Sequence, residues 1–363
     1  MPALAVAEEL RAEGAEVSFI GGQRAEAELV PAAGFALETI AVQGLSRSNP
    51  PEALRALALA AAALPRARSL LQRLAPGAVM GAGGYVAGPV GLSALSLRIP
   101  LVLTEADSHL GMTNRALAPF ARRVCLAFAL PGRQPPRYLV TGRPTAAAVQ
   151  DRRAARGRLG IAPEETCVLV FGGSLGARSI NLAAIEAFAA PPSNGAGRIG
   201  RRGHEALAAR PSAGAPLRVL HVCGRRDHAE LAARALPGGY DLREYLDLAA
   251  FHEALAAADL AIARAGGSVF ELAAHGLPAI LVPYPHAAAD HQSANARWMS
   301  AAGAAVVIPD AQLSAERLRE EVAELLADRP RLAARAGASL ALARPDAARE
   351  VARELLAAAA ARA

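Results

Sequence analysis

Short apolar runs of strand length recur along this chain, with longer stretches of helical periodicity between them. The runs are VSFI at 17–20, AVMGA at 78–82, LVLT at 101–104, VCLAF at 124–128 and YLVTG at 138–142. They continue with CVLVFGG at 167–173, RVLHVCG at 218–224, LAIA at 260–263, AILVPY at 279–284 and AVVIP at 305–309. A strand that is apolar throughout is buried on both faces, and strands alternating with helices pair in parallel with helices covering each side. The pattern therefore predicts α/β architecture with two Rossmann-like, doubly wound parallel sheets, one on each side of about residue 143. At 363 residues and 53% apolar content, with mean hydropathy +0.23, the chain is long enough to bury two cores. Thr141-Gly142-Arg143-Pro144 closes the first set of strands and a basic helical stretch from Asp151 precedes the second, so the boundary is expected near 143–150. Ligands of open α/β sheets bind beyond the carboxyl ends of the strands, which is expected to place a site in a cleft between the halves.

Charge is distributed unevenly. The chain contains no lysine, and its pI of 9.9 partly reflects heavy use of arginine. Residues 51–143 carry eleven arginines against Glu52, Glu105 and Asp107, a net +8, whereas residues 1–50 carry three arginines against seven glutamates, a net −4. Within the basic segment, residues 51–74 form an apolar helical pattern flanked by Arg55, Arg66, Arg68 and Arg73. Such a helix either packs on a sheet or lies on a membrane with its arginines against anionic headgroups. The longest uncharged apolar stretch, Ala56–Leu64, is half of what a bilayer span needs, and the acidic N-terminus does not read as a signal peptide. Cys125, Cys167 and Cys223 are odd in number and lack metal-ligand spacing, which suits a reducing compartment. Residues 191–216, rich in Pro, Gly and Arg, read as a surface insertion with a helical turn at 204–209, or as a basic phosphate-gripping patch.

Three glycine-rich turns follow strands. In residues 261–295 a short strand leads into Ala265-Gly266-Gly267, where the backbone is free to approach a ligand, and Ser268 is placed to cap a helix running to about His275. The N–H groups at that helix start suit a diphosphate. Glu271 stands three residues after Ser268, where a carboxylate either closes a capping box or hydrogen-bonds both hydroxyls of a ribose. Arg264 at the strand end meets diphosphate charge or pairs with Glu271. GGSLGAR at 172–178 has the same strand-to-helix context. No carboxylate follows it at the distance a dinucleotide fold requires, which argues against an NAD-dependent oxidoreductase. Gly83-Gly84-Tyr85 forms the third turn, in the first half; it is either a packing turn or a ligand loop. His286, Asp290 and His291 raise a metal site, but their spacing in a loop does not match a ligand pair, so no metal is expected.

Taken together, these blocks resemble the MurG-type N-acetylglucosaminyltransferases. The likeness rests on PALAVAEEL at 2–10, GAGGYVAGP at 81–89, IPLVLTEADSHLGMTNRAL at 99–117, TGRP at 141–144, LVFGGSLGARSIN at 169–181, ARAGGSVFE at 263–271 and VPYPHAAADHQSAN at 282–295. It implies the GT-B architecture: an acceptor domain at 1–143, a donor domain at 144–344 and a C-terminal helix at 345–363 packing back across the hinge. It also implies inverting transfer of N-acetylglucosamine from UDP-GlcNAc, a substrate and not a cofactor, to an undecaprenyl-linked muramyl-pentapeptide. The setting implied is the cytoplasmic face of the cell membrane, on its anionic inner leaflet, and no nucleic acid partner is expected.

The resemblance further implies donor contacts at Asp107, Ser174, Leu246, Arg264, Gly266, Gly267, Ser268, Val269, Phe270, Glu271, Asp290 and Gln292, with Leu246 holding the uracil through its backbone. Gly83, Gly84 and Tyr85 would lie on the acceptor side. Family members carry a strand and a GGTGGH loop before the PALAVAEEL block, so the first domain is expected to lack its first strand and a histidine base, with low stability as a consequence. Glu105 is then the remaining candidate for the catalytic base. The chain departs from the family pattern at Asp107, where an asparagine is usual, at Ala146, where an arginine is usual, and in an ARAGGSVFE block one residue short. Three other readings stay open: a UDP-sugar-binding pseudoenzyme, a GT-B transferase with another acceptor, and a nonhydrolysing epimerase.

Overall fold

The computed structural model describes residues 2–23, 26–42, 50–173, 175–189 and 216–362. Ser174, the 191–215 part of the insertion and its expected turn at 204–209 lie outside the described residues. The chain forms two compact units, residues 1–146 with 344–363 and residues 147–343.

The first unit contains α1 (Pro2–Ala12), β1 (Ser18–Gly21), α2 (Glu26–Ala32), β2 (Ala36–Thr39), α3 (Pro50–Leu74), β3 (Val79–Gly81), α4 (Ala87–Ser96), β4 (Leu101–Glu105), α5 (Met112–Leu117), β5 (Arg123–Leu126) and β6 (Tyr138–Val140). All its strand pairs are parallel, but they form two sheets: β1–β2, and a four-stranded sheet in the order β3-β4-β5-β6. Alternation along the strands sorts side chains onto two faces. Leu101, Leu103, Val124 and Leu126 face Ala67, Leu70 and Leu71 of α3 and Val90 and Ala94 of α4. Val102 and Cys125, between them in sequence, face the opposite side and meet Val6 of α1 with Val351, Ala352 and Leu355 of the C-terminal helix, Ala347–Ala360. Arg123 and Glu354 pair at 3.0 Å, tying that helix to β5. Burial pushes the Cys125 thiol up to about 12, so it acts as a small apolar side chain.

The second unit contains α6 (Arg152–Arg158), β7 (Thr166–Phe171), α7 (Arg178–Phe188), β8 (Leu217–Val222), α8 (His228–Ala232), β9 (Tyr240–Arg243), α9 (Leu248–Ala257), β10 (Leu260–Ala263), α10 (Val269–Ala274), β11 (Ala279–Leu281), α11 (His291–Ala301), β12 (Ala305–Val307), α12 (Ala315–Ala327) and α13 (Arg329–Ala341). Its six strands are all parallel, in the order β12-β11-β10-β7-β8-β9. Every residue of β7 and β10 is buried. On one face Val168, Val170 and Ile262 pack against Ile180, Ala184 and Leu318. On the other, Phe171 meets Phe251 edge-on, with ring centres 5.1 Å apart.

The apolar-run pattern misses β2 and β9. Both are only partly buried, and charged residues such as Glu38, Asp241 and Arg243 interrupt the apolar run.

Polar groups in and beside the core anchor the central strands. The Asp259 carboxylate accepts from the Cys167 N–H at 2.8 Å and meets Arg152 at 2.8 Å and the buried Arg156 at 3.5 Å. His221, on β8, is fully buried between the Tyr240 hydroxyl (2.7 Å) and the Asn181 carbonyl (3.0 Å). Burial pushes its imidazole down to about 4. His252 is also driven down to about 4 by burial, and neither ring nitrogen has a hydrogen-bond partner. A histidine whose folded value lies below its ordinary one near 6.5 contributes stability above that pH, and the contribution is lost as the pH falls toward 4. The melting temperature is therefore expected to fall steadily between about pH 6.5 and 4. His252→Phe, which removes two unsatisfied buried nitrogens, is expected to shrink that fall and to melt above the parent at pH 5. Thermal melts of both proteins at pH 7.5 and pH 5 check this.

Candidate active site

The carboxyl ends of β7, β9, β10 and β11 carry the loops that contain the donor-side candidates. The turn after β10 departs from the sequence expectation in its details. Ser268 has φ −61° and ψ −11°, within the helical region, and its side chain makes no capping bond. The helix starts instead with tight i to i−3 bonds, from Val269 N to Gly266 O at 3.3 Å and from Phe270 N to Gly267 O at 3.2 Å. The Val269 and Phe270 side chains are buried, with Phe270 5.0 Å from the Trp298 ring, so only their main chains lie at the turn. None of the main-chain hydrogen bonds of the described residues uses the N–H of Gly267 or Ser268. Glu271 stands half-buried in the first turn of α10.

Asn295 shapes this turn. It is buried on α11 and donates from Nδ2 to the carbonyl oxygens of Ala265 (3.0 Å) and Gly266 (3.4 Å). Sequence reasoning passed over it, although it follows Gln292 by three residues, a spacing that puts both on one helix face. Gln292 accepts the Tyr284 N–H at Oε1, at 2.9 Å. That bond fixes the amide orientation, so Gln292 presents N–H donors rather than the mixed donor and acceptor expected from its side chain alone. Its Nε2 lies toward the glycine turn, 4.0 Å from where a Cβ on Gly266 would stand.

Asp290 and Ala289 both adopt left-handed backbone, with φ of 53° and 52°. For residues with a side chain this costs roughly 1–2 kcal/mol each, strain of the kind that accumulates at binding loops. The exposed Asp290 carboxylate accepts from Ser293 Oγ at 2.6 Å. Among the described residues no cluster of three or more His, Cys, Asp or Glu side chains is placed to hold a metal ion. Arg264, expected to meet diphosphate or Glu271, is taken up by Asp310 at 2.6 Å. Leu246 lies half-buried in the loop after β9, directly before Asp247, which caps α9 by accepting from the Ala250 N–H. Beside it the exposed Tyr245 lies 5.1 Å from the Arg225 guanidinium.

The glycines separate by physical cause. In GGSLGAR, a Cβ on Gly176 would stand 1.9 Å from the Cys223 carbonyl oxygen, and one on Gly172 would stand 2.4 Å from Ala177 Cβ, so packing requires both, and the left-handed backbone of Gly176 (φ +78°) adds to it. Gly83 and Gly84, at φ +80° and +73°, are required by backbone conformation. Gly266 has neither constraint, since its φ is not left-handed and a Cβ would meet only Gln292 Nε2, at an ordinary contact distance of 4.0 Å.

In the first unit Glu105 is 8% exposed. Its Oε2 accepts from the Gly111 N–H (2.8 Å) and Asn114 Nδ2 (2.9 Å), and its Oε1 from the Asp107 N–H (3.2 Å). This buried carboxylate, holding three donors, organises the 106–111 loop and the start of α5. It lines a cavity of about 160 Å³ with Pro2, Thr104 and Thr141. Asp107 is half-buried on the loop that Glu105 holds, and Tyr85 is exposed after the Gly83-Gly84 turn.

The stability consequence is testable without a ligand. Gly176→Ala is expected to unfold the second unit or lower its melting temperature severely, whereas Gly266→Ala is expected to melt with the parent. Differential scanning calorimetry of the two variants checks the contrast.

Comparison with known proteins agrees on family. Residues 1–126 match the glycosyltransferase family 28 N-terminal domain and residues 167–351 the glycosyltransferase family 28 C-terminal domain. A relative from Moorella thermoacetica is 39% identical over 361 residues, covering 95% of this chain and 92% of its own length. One from Alkalilimnicola ehrlichii is 41% identical, covering 97% and 93%. Both carry the name UDP-N-acetylglucosamine--N-acetylmuramyl-(pentapeptide) pyrophosphoryl-undecaprenol N-acetylglucosamine transferase. The crystal structure of Acinetobacter baumannii MurG superposes with a TM-score of 0.69 at 28% identity, covering 98% of this chain and 95% of that one.

Proposed function

The chain belongs to glycosyltransferase family 28, and from that premise we propose how its residues carry out the activity that its relatives' name describes. The protein is a UDP-GlcNAc-dependent N-acetylglucosaminyltransferase of peptidoglycan synthesis. It moves N-acetylglucosamine from UDP-GlcNAc to undecaprenyl-pyrophosphoryl-N-acetylmuramyl-pentapeptide. The acceptor hydroxyl attacks the anomeric carbon in line, a base takes its proton, the bond to the UDP oxygen breaks, and the configuration inverts.

One observation carries the placement of the donor. Gly266 is a glycine with no conformational or packing need to be one, and the Gln292 amide donors lie above it. Space kept clear at a strand tip beneath two N–H donors suits a nucleotide sugar. In this reading the main chain of Leu246 holds the uracil, the Glu271 carboxylate grips the ribose hydroxyls, and the Gly266, Gly267 and Ser268 turn meets the diphosphate through its N–H groups. Gln292 donates to the transferred sugar, with Asp290 beside it. Val269 and Phe270 contribute backbone alone, and Ser174 is kept among the donor contacts on the strength of the family resemblance. Asp107 contributes to the donor contacts from the first unit, and Gly83, Gly84 and Tyr85 serve the acceptor side, with residues 1–143 as acceptor domain and 144–344 as donor domain. Glu105 positions the loop that carries Asp107.

The lipid-linked acceptor places the enzyme at the anionic inner leaflet, on the cytoplasmic face of the membrane. No helix among the described residues is long and apolar enough to cross a bilayer. Peripheral contact is supported by Leu92, Met112 and Phe120, exposed in the segment that carries the net charge of +8. The protein is expected to float with anionic vesicles at low salt and to be released at high salt; failure to bind at low salt would count against this surface.

Isothermal titration with UDP-GlcNAc followed by turnover assays with lipid-linked acceptor tests the function itself. Binding together with acceptor-dependent UDP release is the expected result. Binding without transfer would favour a UDP-sugar-binding protein, and conversion of UDP-GlcNAc with no acceptor would favour an epimerase. Glu271→Gln, by weakening a charge-assisted contact to the ribose, is expected to reduce affinity for UDP and UDP-GlcNAc alike by about tenfold or more.

A further inference from the structure

Arg264 sits where the ends of several elements converge. Its guanidinium donates to Asp310 Oδ1 at 2.6 Å, Ser179 Oγ at 2.8 Å, and the carbonyl oxygens of Val282 at 3.1 Å and Pro283 at 3.3 Å. The Ser179 hydroxyl donates a hydrogen bond to Asp310 Oδ1 at 2.7 Å, closing a ring of three side chains. One face of the guanidinium lies 5.5 Å from the centre of the Tyr284 ring. A single planar cation thus joins the tip of β10, the first turn of α7, the turn after β12 and the chain leaving β11. Its donors point at protein and its charge is matched by Asp310, which makes Arg264 a poor ligand for diphosphate.

The loop that Arg264 grips is the one that orients Gln292. Val282, Pro283 and Tyr284 are consecutive, and the Tyr284 N–H is the group that holds Gln292 Oε1. We propose that Arg264 and Asp310, joined by Ser179, are positioning residues for the transferred sugar. They set the Gln292 amide through Tyr284 and thereby determine selection of N-acetylglucosamine, while nucleotide binding is left to other groups. This rests on the reading of Gln292 as the sugar contact given above.

The test compares two ligands that differ only in the sugar. Asp310→Asn keeps the shape of the side chain and removes its charge. It is expected to weaken UDP-GlcNAc by about tenfold in isothermal titration, with UDP affinity unchanged. The kcat/KM preference for UDP-GlcNAc over UDP-glucose should fall in step, and Asp310→Glu should restore part of it. A general structural role would weaken both ligands together. Equal weakening, or an unchanged ratio of the two affinities, overturns the proposal. Should Asp310→Asn not fold, Ser179→Ala carries the same comparison: a smaller shift in the same direction supports the proposal and an unchanged ratio overturns it. Failure of the parent protein to bind UDP at all would instead remove the donor-site reading, and this proposal with it.

Discussion

Strands buried on both faces have no side chain free to meet a ligand, and this constraint governs the second unit. All six residues of β7 and all four of β10 are enclosed by helices on either side of the sheet. Chemistry is therefore confined to the turns beyond the strand ends, where backbone groups emerge from the ladder and helices begin. Those turns are too short to be rigid by themselves. What holds them is a set of buried and half-buried polar contacts, each linking residues distant in sequence: Asn295 to Ala265 and Gly266, Arg264 to Asp310 and Ser179, and Asn181 to Cys223 and His221.

The glycine-rich turns show why a motif and its physical cause are separate matters. Gly176 is a glycine because the Cys223 carbonyl leaves no room for a Cβ, and Gly83 and Gly84 because their backbone is left-handed. Gly266 answers to neither cause. The three turns look alike as text, yet their glycines answer to different physical causes.

Several polar residues changed role between sequence and structure. Glu105, read as a base because a carboxylate stood near the expected site, holds the Asp107 and Gly111 N–H groups and Asn114. Ser268, read as a cap from its place before a helix, lies within the helical region and caps nothing. Gln292 gives its carbonyl to Tyr284 and keeps only donors for a ligand. In each case the hydrogen-bond partner could not be inferred from the sequence, because it is set by a conformation or a segment that only folding supplies. Strands β2 and β9 escaped because they are only partly buried and carry charged residues, Glu38, Asp241 and Arg243, in place of an apolar run.

Sequence by itself determined the parallel α/β class, the strands at the centre of each sheet, and the family, since periodicity, strand-to-helix turns and ordered motif blocks are local properties of the chain. Tertiary structure decided which carboxylate neutralises Arg264, which way the Gln292 amide points, which glycines are packing necessities, and that the C-terminal helix completes one face of the first unit's four-stranded sheet. Those outcomes depend on distances between residues tens to hundreds of positions apart, and such distances exist only once the sheets have brought the chain together.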